Sequence, residues 1–267
     1  MDETLATESR ARALAQRTWQ MRHRFELIAA ARFGWLADEL AALGAHGAVA
    51  TLARTAAADE LRHAARCREL VVHYGGALVG DLFVAASDLG GALFVAASGS
   101  PASPLPSVAR VAPAGLSRRE ALLYEVVAMS CVTETLSTAL LGELVDAAGD
   151  AVARAAMHEI LRDEVNHSRL GWAHIASEHE RGSRDVVGPH LPAMLRHTVE
   201  EELFSGAPED PAWREVARLG ALSRASRLRI FADAMRSVVF PGLARFGVDT
   251  TLGAAWLEDK LAEPASA

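Results

Sequence analysis

Two cysteines in 267 residues, Cys67 and Cys131, are too few for a disulfide framework, and no CxxC pair offers a zinc or rubredoxin-type iron site. Aromatic residues are only 6% and prolines number 10. That is a poor supply for a β-sandwich, which draws on aromatic and β-branched side chains. No apolar run reaches the roughly 18 residues of a membrane-spanning helix. The opening MDETLATESR is acidic and polar, unlike a secretory signal peptide. Lys260 is the lone lysine, so the basic complement is arginine. The net charge of −7 has the wrong sign for a protein that coats nucleic acid. These absences lead us to expect a soluble, cytoplasmic protein without nucleic-acid or membrane partners.

What is present is 51% hydrophobic residue, dominated by Ala and Leu, enough for a sizeable helical core. Helical periodicity runs from about Glu8 to Leu43, and from Val49 to His73. A third run follows the capping-box pattern Ser117-Arg118-Arg119-Glu120 and reaches about Ala148; a fourth continues past Gly149-Asp150 to about Arg181. Two helical hairpins are thus joined by a long connection, residues 74–116. This connection holds a duplicated hexapeptide, LFVAAS at 82–87 and 93–98, the second copy a helix turn or short strand, then a Pro/Ser-rich loop. Further helical patterns cover 190–204, 211–236 and 250–262, with a break expected near Pro241-Gly242. We read 1–267 as one all-α domain, a bundle over about 8–181 with a helical extension over about 188–262.

Chemistry is concentrated in a repeated pattern. Asp59-Glu60-Leu61-Arg62-His63 and Asp163-Glu164-Val165-Asn166-His167 are both D-E-x-x-H, each in the second helix of a hairpin. Glu and His three residues apart share one helix face and can reach one ion. Both pairs interrupt apolar stripes: Ala53, Ala56, Cys67 around the first, and Ala153, Met157, Ile160, Gly171 around the second. A carboxylate buried there costs several kcal/mol unless compensated, and a metal pair compensates while also explaining the histidines.

A dinuclear carboxylate site needs one more Glu from each remaining helix. Glu134 interrupts the stripe Leu123, Val127, Ser130, Cys131, Thr138, Leu141, and lies about as far before the turn at 149 as Glu164 and His167 lie after it. In the first helix, Glu26 is within a few Å of level with Glu60 and His63, whereas Glu39 falls roughly 14 Å off level at ~1.5 Å rise per residue. Glu26 is the better candidate, with a surface ion pair to Arg22 as its alternative role. His23 and His174 read as core or channel residues, and Cys67 and Cys131 as small hydrophobes.

One Glu, then ExxH, then Glu, then ExxH, one element per helix with a long crossover, resembles the ferritin-like diiron-carboxylate superfamily. The resemblance covers roughly residues 15–180. It implies a ferritin-like four-helix bundle and a metal set of Glu26, Glu60, His63, Glu134, Glu164 and His167, with Glu60 and Glu164 bridging. Two Fe are the implied cofactor, with Mn or a mixed Mn/Fe pair as the alternative, since O and N ligands suit these ions. Asp59 and Asp163 would hold the free N–H of the histidine on the opposing helix. Arg62 fits the D-E-x-R-H form of oxygen-activating members; Asn166 departs from it. Ser137, Ile160 and Cys67 stand where the rubrerythrin-like, arylamine N-oxygenase-like and ribonucleotide-reductase branches carry Glu, His and Tyr.

Thr138, one turn after Glu134, sits where several bacterial multicomponent monooxygenases of this superfamily carry a Thr, and the resemblance makes it a candidate catalytic proton relay, with Ser137 as second choice and a bond to its own helix backbone as the structural alternative. The resemblance implies a non-haem diiron oxidase or oxygenase, an oxidoreductase that activates O2 to oxidise a small organic substrate. A separate electron donor is expected, because no flavin or nicotinamide fingerprint occurs. The helical extension is either a pocket cover or a homodimer surface. The alternative reading is a ferroxidase, an iron- or manganese-handling protein, or a peroxide consumer without an organic substrate.

Overall fold

In α1, Glu3–Ala42, 40 residues without a proline and with Gly34 as the one glycine form a single helix of Ala, Leu, Arg and Glu. The computed structural model describes residues 3–76, 109–199, 203 and 213–263, and among them every regular element is helical. None of these helices is long and apolar enough to cross a membrane. The duplicated hexapeptide at 82–87 and 93–98 lies outside the described residues.

Gly44, at φ 66°, turns the chain into α2, Gly47–His73, which packs along α1 as a hairpin. The expected capping box opens α3, Arg118–Val126: Ser117 accepts from the Glu120 amide, and Glu120 accepts from the Ser117 amide at 2.8 Å. A π-helical segment, Val127–Thr133, then leads into α4, Glu134–Ala147. Periodicity did not reveal that segment; every residue from Leu122 to Val132 is buried, so no stripe marks it. Its widened turns bond i to i+5, and Thr133 reinforces one by donating its hydroxyl to the Ala128 carbonyl at 3.0 Å. Asp150 caps α5, Ala151–Glu180, by accepting from the Val152 and Ala153 amides at 2.9 and 3.0 Å.

Pairs across the α2–α5 seam run in opposite senses: Arg66 with Glu159, Arg62 with Asp163, and Asp59 with His167. The two helices are antiparallel, and their D-E-x-x-H segments lie at one level. Apolar side chains gather on either side of that level. One group holds Trp19, Leu70, Leu141, Met157 and Ile160; the other holds Phe33, Leu36, Leu40, Leu122 and Leu170.

Residues after α5 form α6 (Leu191–Val199), the short α7 (Trp213–Val216), α8 (Arg224–Ala234), α9 (Phe240–Arg245) and α10 (Thr251–Ala262). Two expectations are corrected here. The helical pattern over 211–236 is divided at Gly220, whose φ of 83° favours glycine and where a Cβ would fall 2.6 Å from the Trp19 ring. The break expected at Pro241-Gly242 does not occur, because a second π segment, Met235–Val239, runs straight into α9. Pro241 sits in the first turn of α9, where its missing amide proton is tolerated. Gly242 serves close packing instead: a Cβ there would fall 2.7 Å from the Trp172 ring. The segment after α7 also ties the second hairpin to α1. The Arg218 carbonyl accepts from the Gly149 and Asp150 amides at 3.0 Å, and Trp19 Nε1 donates to the Leu219 carbonyl at 3.1 Å.

A fully buried ion pair, Arg32 on α1 with Glu125 on α3, joins the two hairpins. Glu125 also accepts from the Val111 and Ala112 amides at 2.7 and 3.0 Å, and Arg32 donates to the Ala109 carbonyl at 2.7 Å. The end of the long connection is thereby held on the hairpins. Arg32→Met strands a buried carboxylate and should cost about 3–5 kcal/mol in urea unfolding. Arg236→Ala, at the exposed pair with Glu258, should cost less than about 1 kcal/mol. Equal small losses would show that the interior pair carries no special cost.

Candidate metal centre

Helix spacing puts Glu60 and His63 on the inner face of α2, and Glu164 and His167 on the inner face of α5. All four are buried, and one ligand atom from each lies within 4.8 Å of the others, an arrangement that could hold a metal ion. Glu26 of α1 reaches this group through a hydrogen bond with Glu60, and Glu134 of α4 through one with Glu164. The structure thus brings all six residues singled out by spacing into one buried cluster. Glu39 is elsewhere, in an ion pair with Arg118, and Arg22 stacks over Trp19. His23 Nδ1 faces the Ala64 carbonyl at 2.8 Å.

Each imidazole is held between carboxylates. His167 Nε2 lies 3.2 Å from Asp59 Oδ2, and His63 Nε2 lies 3.4 Å from Asp163 Oδ2, both across to the other helix. On the inner side, His63 Nδ1 is 3.2 Å from Glu60 Oε2, and His167 Nδ1 is 3.2 Å from Glu164 Oε2. His167 Nδ1 also stands 2.9 Å from Glu60 Oε1, yet without hydrogen-bond geometry, and that oxygen has no other partner. With Nε2–H given to the aspartate, the inner nitrogen presents a lone pair to acceptor oxygens. Once those inner nitrogens are deprotonated, their lone pairs and the carboxylate oxygens converge on one buried point, so the donor set suits a metal held by oxygen and Nδ1 ligands.

Without a cation, protons must hold this cluster together. Burial, then the charge of Glu60, pushes the Glu26 carboxyl well up; burial, then Glu164 and Glu60, does the same to Glu134. Burial alone would lower His167, but the Glu164 and Glu60 carboxylates beside it push it up to about 11. Burial would raise Glu164, yet hydrogen bonds from His167 and Glu134 hold it at about 2.

Three side chains contact the cluster from outside, and of these the sequence marked Arg62 and Ser137 but not Arg162. Arg62 bridges both aspartates, 2.6 Å from Asp59 Oδ1 and 3.1 Å from Asp163 Oδ2. Arg162 adds a contact to Asp163 at 3.1 Å, from a position the D-E-x-R-H pattern does not mark. Ser137 donates its hydroxyl to Glu164 Oε1 at 3.2 Å, whereas Thr138 donates to the Glu134 carbonyl at 2.8 Å. Of the two relay candidates, Ser137 is therefore the one bonded to a cluster carboxylate. Cys67 Sγ lies 3.9 Å from Glu26 Oε1, and Gly171 allows α5 to close on the π segment, where a Cβ would fall 2.6 Å from Cys131 Sγ. No family model matches the chain, and neither the curated proteins nor the solved structures include a match.

Further along the same face of α5, His174 is 3% exposed, among Glu178, Arg119 and Arg181. Burial disfavours its charged form and holds its pKa down at about 4. An unfolded histidine titrates near 6.5, so between those values the unfolded chain binds more protons and stability falls as pH drops. Replacing His174 by Leu should remove about 2–3 kcal/mol of the stability difference between pH 7 and pH 4.5. Urea unfolding of both metal-free proteins at the two pH values reads this directly. Identical pH dependence would show that the ring is not kept neutral.

Proposed function

We propose that the chain is a ferritin-like non-haem diiron oxidase or oxygenase that uses O2 to oxidise a small organic substrate. One observation carries this reading: two Glu-x-x-His pairs on antiparallel helices, each inner Nδ1 facing carboxylates and each Nε2 facing the opposite aspartate. Glu26 and Glu134, one at each side, supply the further carboxylates a second ion requires. Glu26, Glu60, His63, Glu134, Glu164 and His167 would hold the ions. A bound iron pair supplies the electrons and Lewis acidity for reducing O2 and oxidising the substrate.

The chain's own residues set the conditions for that chemistry. Asp59 and Asp163 fix the ring orientation and tautomer of His167 and His63. Arg62 holds both aspartates from the solvent side. Phe33, whose ring centroid is 5.4 Å from that of His167, helps keep that side of the cluster dry. Ser137 keeps a hydroxyl on Glu164 Oε1, where it can give or take a proton at a carboxylate.

Anaerobic Fe(II) loading should yield close to two Fe per chain by mass spectrometry. Asp163→Ala should weaken Fe(II) binding by about 10–100-fold with the helical content retained. Retention of less than one Fe per chain by the intact protein would remove the diiron reading. In an oxygen electrode with a chemical reductant, Ser137→Ala should slow O2 consumption while Thr138→Val leaves it near the parent rate. Consumption that needs only iron, with no organic substrate transformed, would instead favour a ferroxidase or peroxide-consuming role.

A further inference from the structure

Where the C-terminal end of α5 meets α3 and the α9–α10 connection, a cleft of about 170 Å³ opens to the surface. Its walls are apolar: Leu123 of α3, Ile175 of α5, Val186 and Val187 after α5, and Phe246 and Val248 before α10. Backbone ties fix these walls relative to one another. Asp185 Oδ1 accepts from the Val187 and Gly188 amides at 3.0 and 2.8 Å, and its Oδ2 accepts from the Asp249 amide at 2.8 Å. Gly247, at φ 80°, turns the α9–α10 connection past His179, where a Cβ would lie 3.5 Å from the imidazole.

The charged groups on the lining are already engaged. Glu178 accepts from Arg119 at 2.7 Å and from Ser183 at 3.3 Å, Arg184 donates to Glu120 at 2.6 Å, and Asp185 gives both oxygens to amides. An anion would meet two carboxylates against one guanidinium, and a cation would find neither carboxylate free. His179, exposed at the mouth, is different. Its ring makes no hydrogen bond among the described residues and stands edge-on to Phe246, with centroids 6.1 Å apart. Size narrows the ligand further: an apolar cavity of roughly 150 Å³ takes a benzene ring, whereas drug-sized ligands need roughly 300 Å³ or more. We infer that this cleft binds a small uncharged aromatic alcohol of phenol size. Its ring packs on Phe246 and the aliphatic walls, and its hydroxyl bonds a His179 nitrogen. Ile175 lies about 12 Å beyond His167 along α5 at the helical rise. The ligand therefore sits apart from the metal centre, and its binding does not rest on the diiron reading.

The probes are phenol, toluene, cyclohexanol and benzoate, titrated calorimetrically into metal-free and iron-loaded full-length protein at neutral pH. Phenol should bind both forms alike, with a Kd on the order of 0.1–1 mM. Cyclohexanol should bind about threefold more weakly for want of the aromatic contact, and benzoate at least tenfold more weakly. His179→Leu should weaken phenol about fivefold while toluene changes less than about twofold. Ile175→Phe fills the cleft and should abolish binding of both; Val248→Phe repeats that test from the rim if circular dichroism shows the first variant unfolded. The inference is overturned if the parent binds neither phenol nor toluene, if His179→Leu leaves phenol affinity unchanged, or if benzoate matches phenol. Binding that appears only after iron loading puts the ligand at the metal centre and overturns it too. Phenol binding by a chain that takes up no iron upholds this site and removes the diiron reading alone.

Discussion

Four carboxylates and two imidazoles share one buried layer, and the rest of the architecture is arranged around their mutual cost. Unpaired, each charge would be expelled by the low-dielectric interior, and the carboxylates would repel one another. Glu26 and Glu134 are pushed toward their protonated forms, while His167 is driven to stay charged between Glu60 and Glu164. A divalent cation would do the work of these protons with ligands already in place. Glu60 Oε1, 2.9 Å from His167 Nδ1 and without another partner, is where that substitution would act.

Around that layer the structure invests in rigidity. Arg62 locks the two aspartates that orient the rings, and the interior pair Arg32–Glu125 fastens one hairpin to the other. The π segment ends where Glu134 begins: the Glu134 amide donates to the Met129 carbonyl, so the irregular turn sets the angle at which this carboxylate enters. Gly171 lets α5 approach that segment at a distance no larger residue would allow. Apolar groups on both sides of the layer then keep water out.

Much of this was legible beforehand. The long helices and the capping box at Ser117 follow from periodicity and from local side-chain to backbone bonds, both properties of contiguous residues. Glu26 and Glu134 could be matched to the two ExxH pairs by counting residues from each turn, since a helix converts sequence distance into height at a fixed rise. The same count set Glu39 aside, and it lies in an ion pair with Arg118. Less was legible where packing overrides local pattern. Pro241-Gly242 reads as a stop signal, yet Gly242 is a contact surface for Trp172 and the helix continues.

Local order along the chain was enough to place the long helices, the turns of two hairpins, and the carboxylates and histidines that share a level. Those are consequences of short-range geometry, and short-range geometry is written residue by residue. Packing of helix on helix put Ser137, and not Thr138, on a cluster carboxylate and brought Arg32 to Glu125. Each depends on the rotation of one helix against another. A widened turn such as Val127–Thr133 shifts that rotation without leaving a periodic mark.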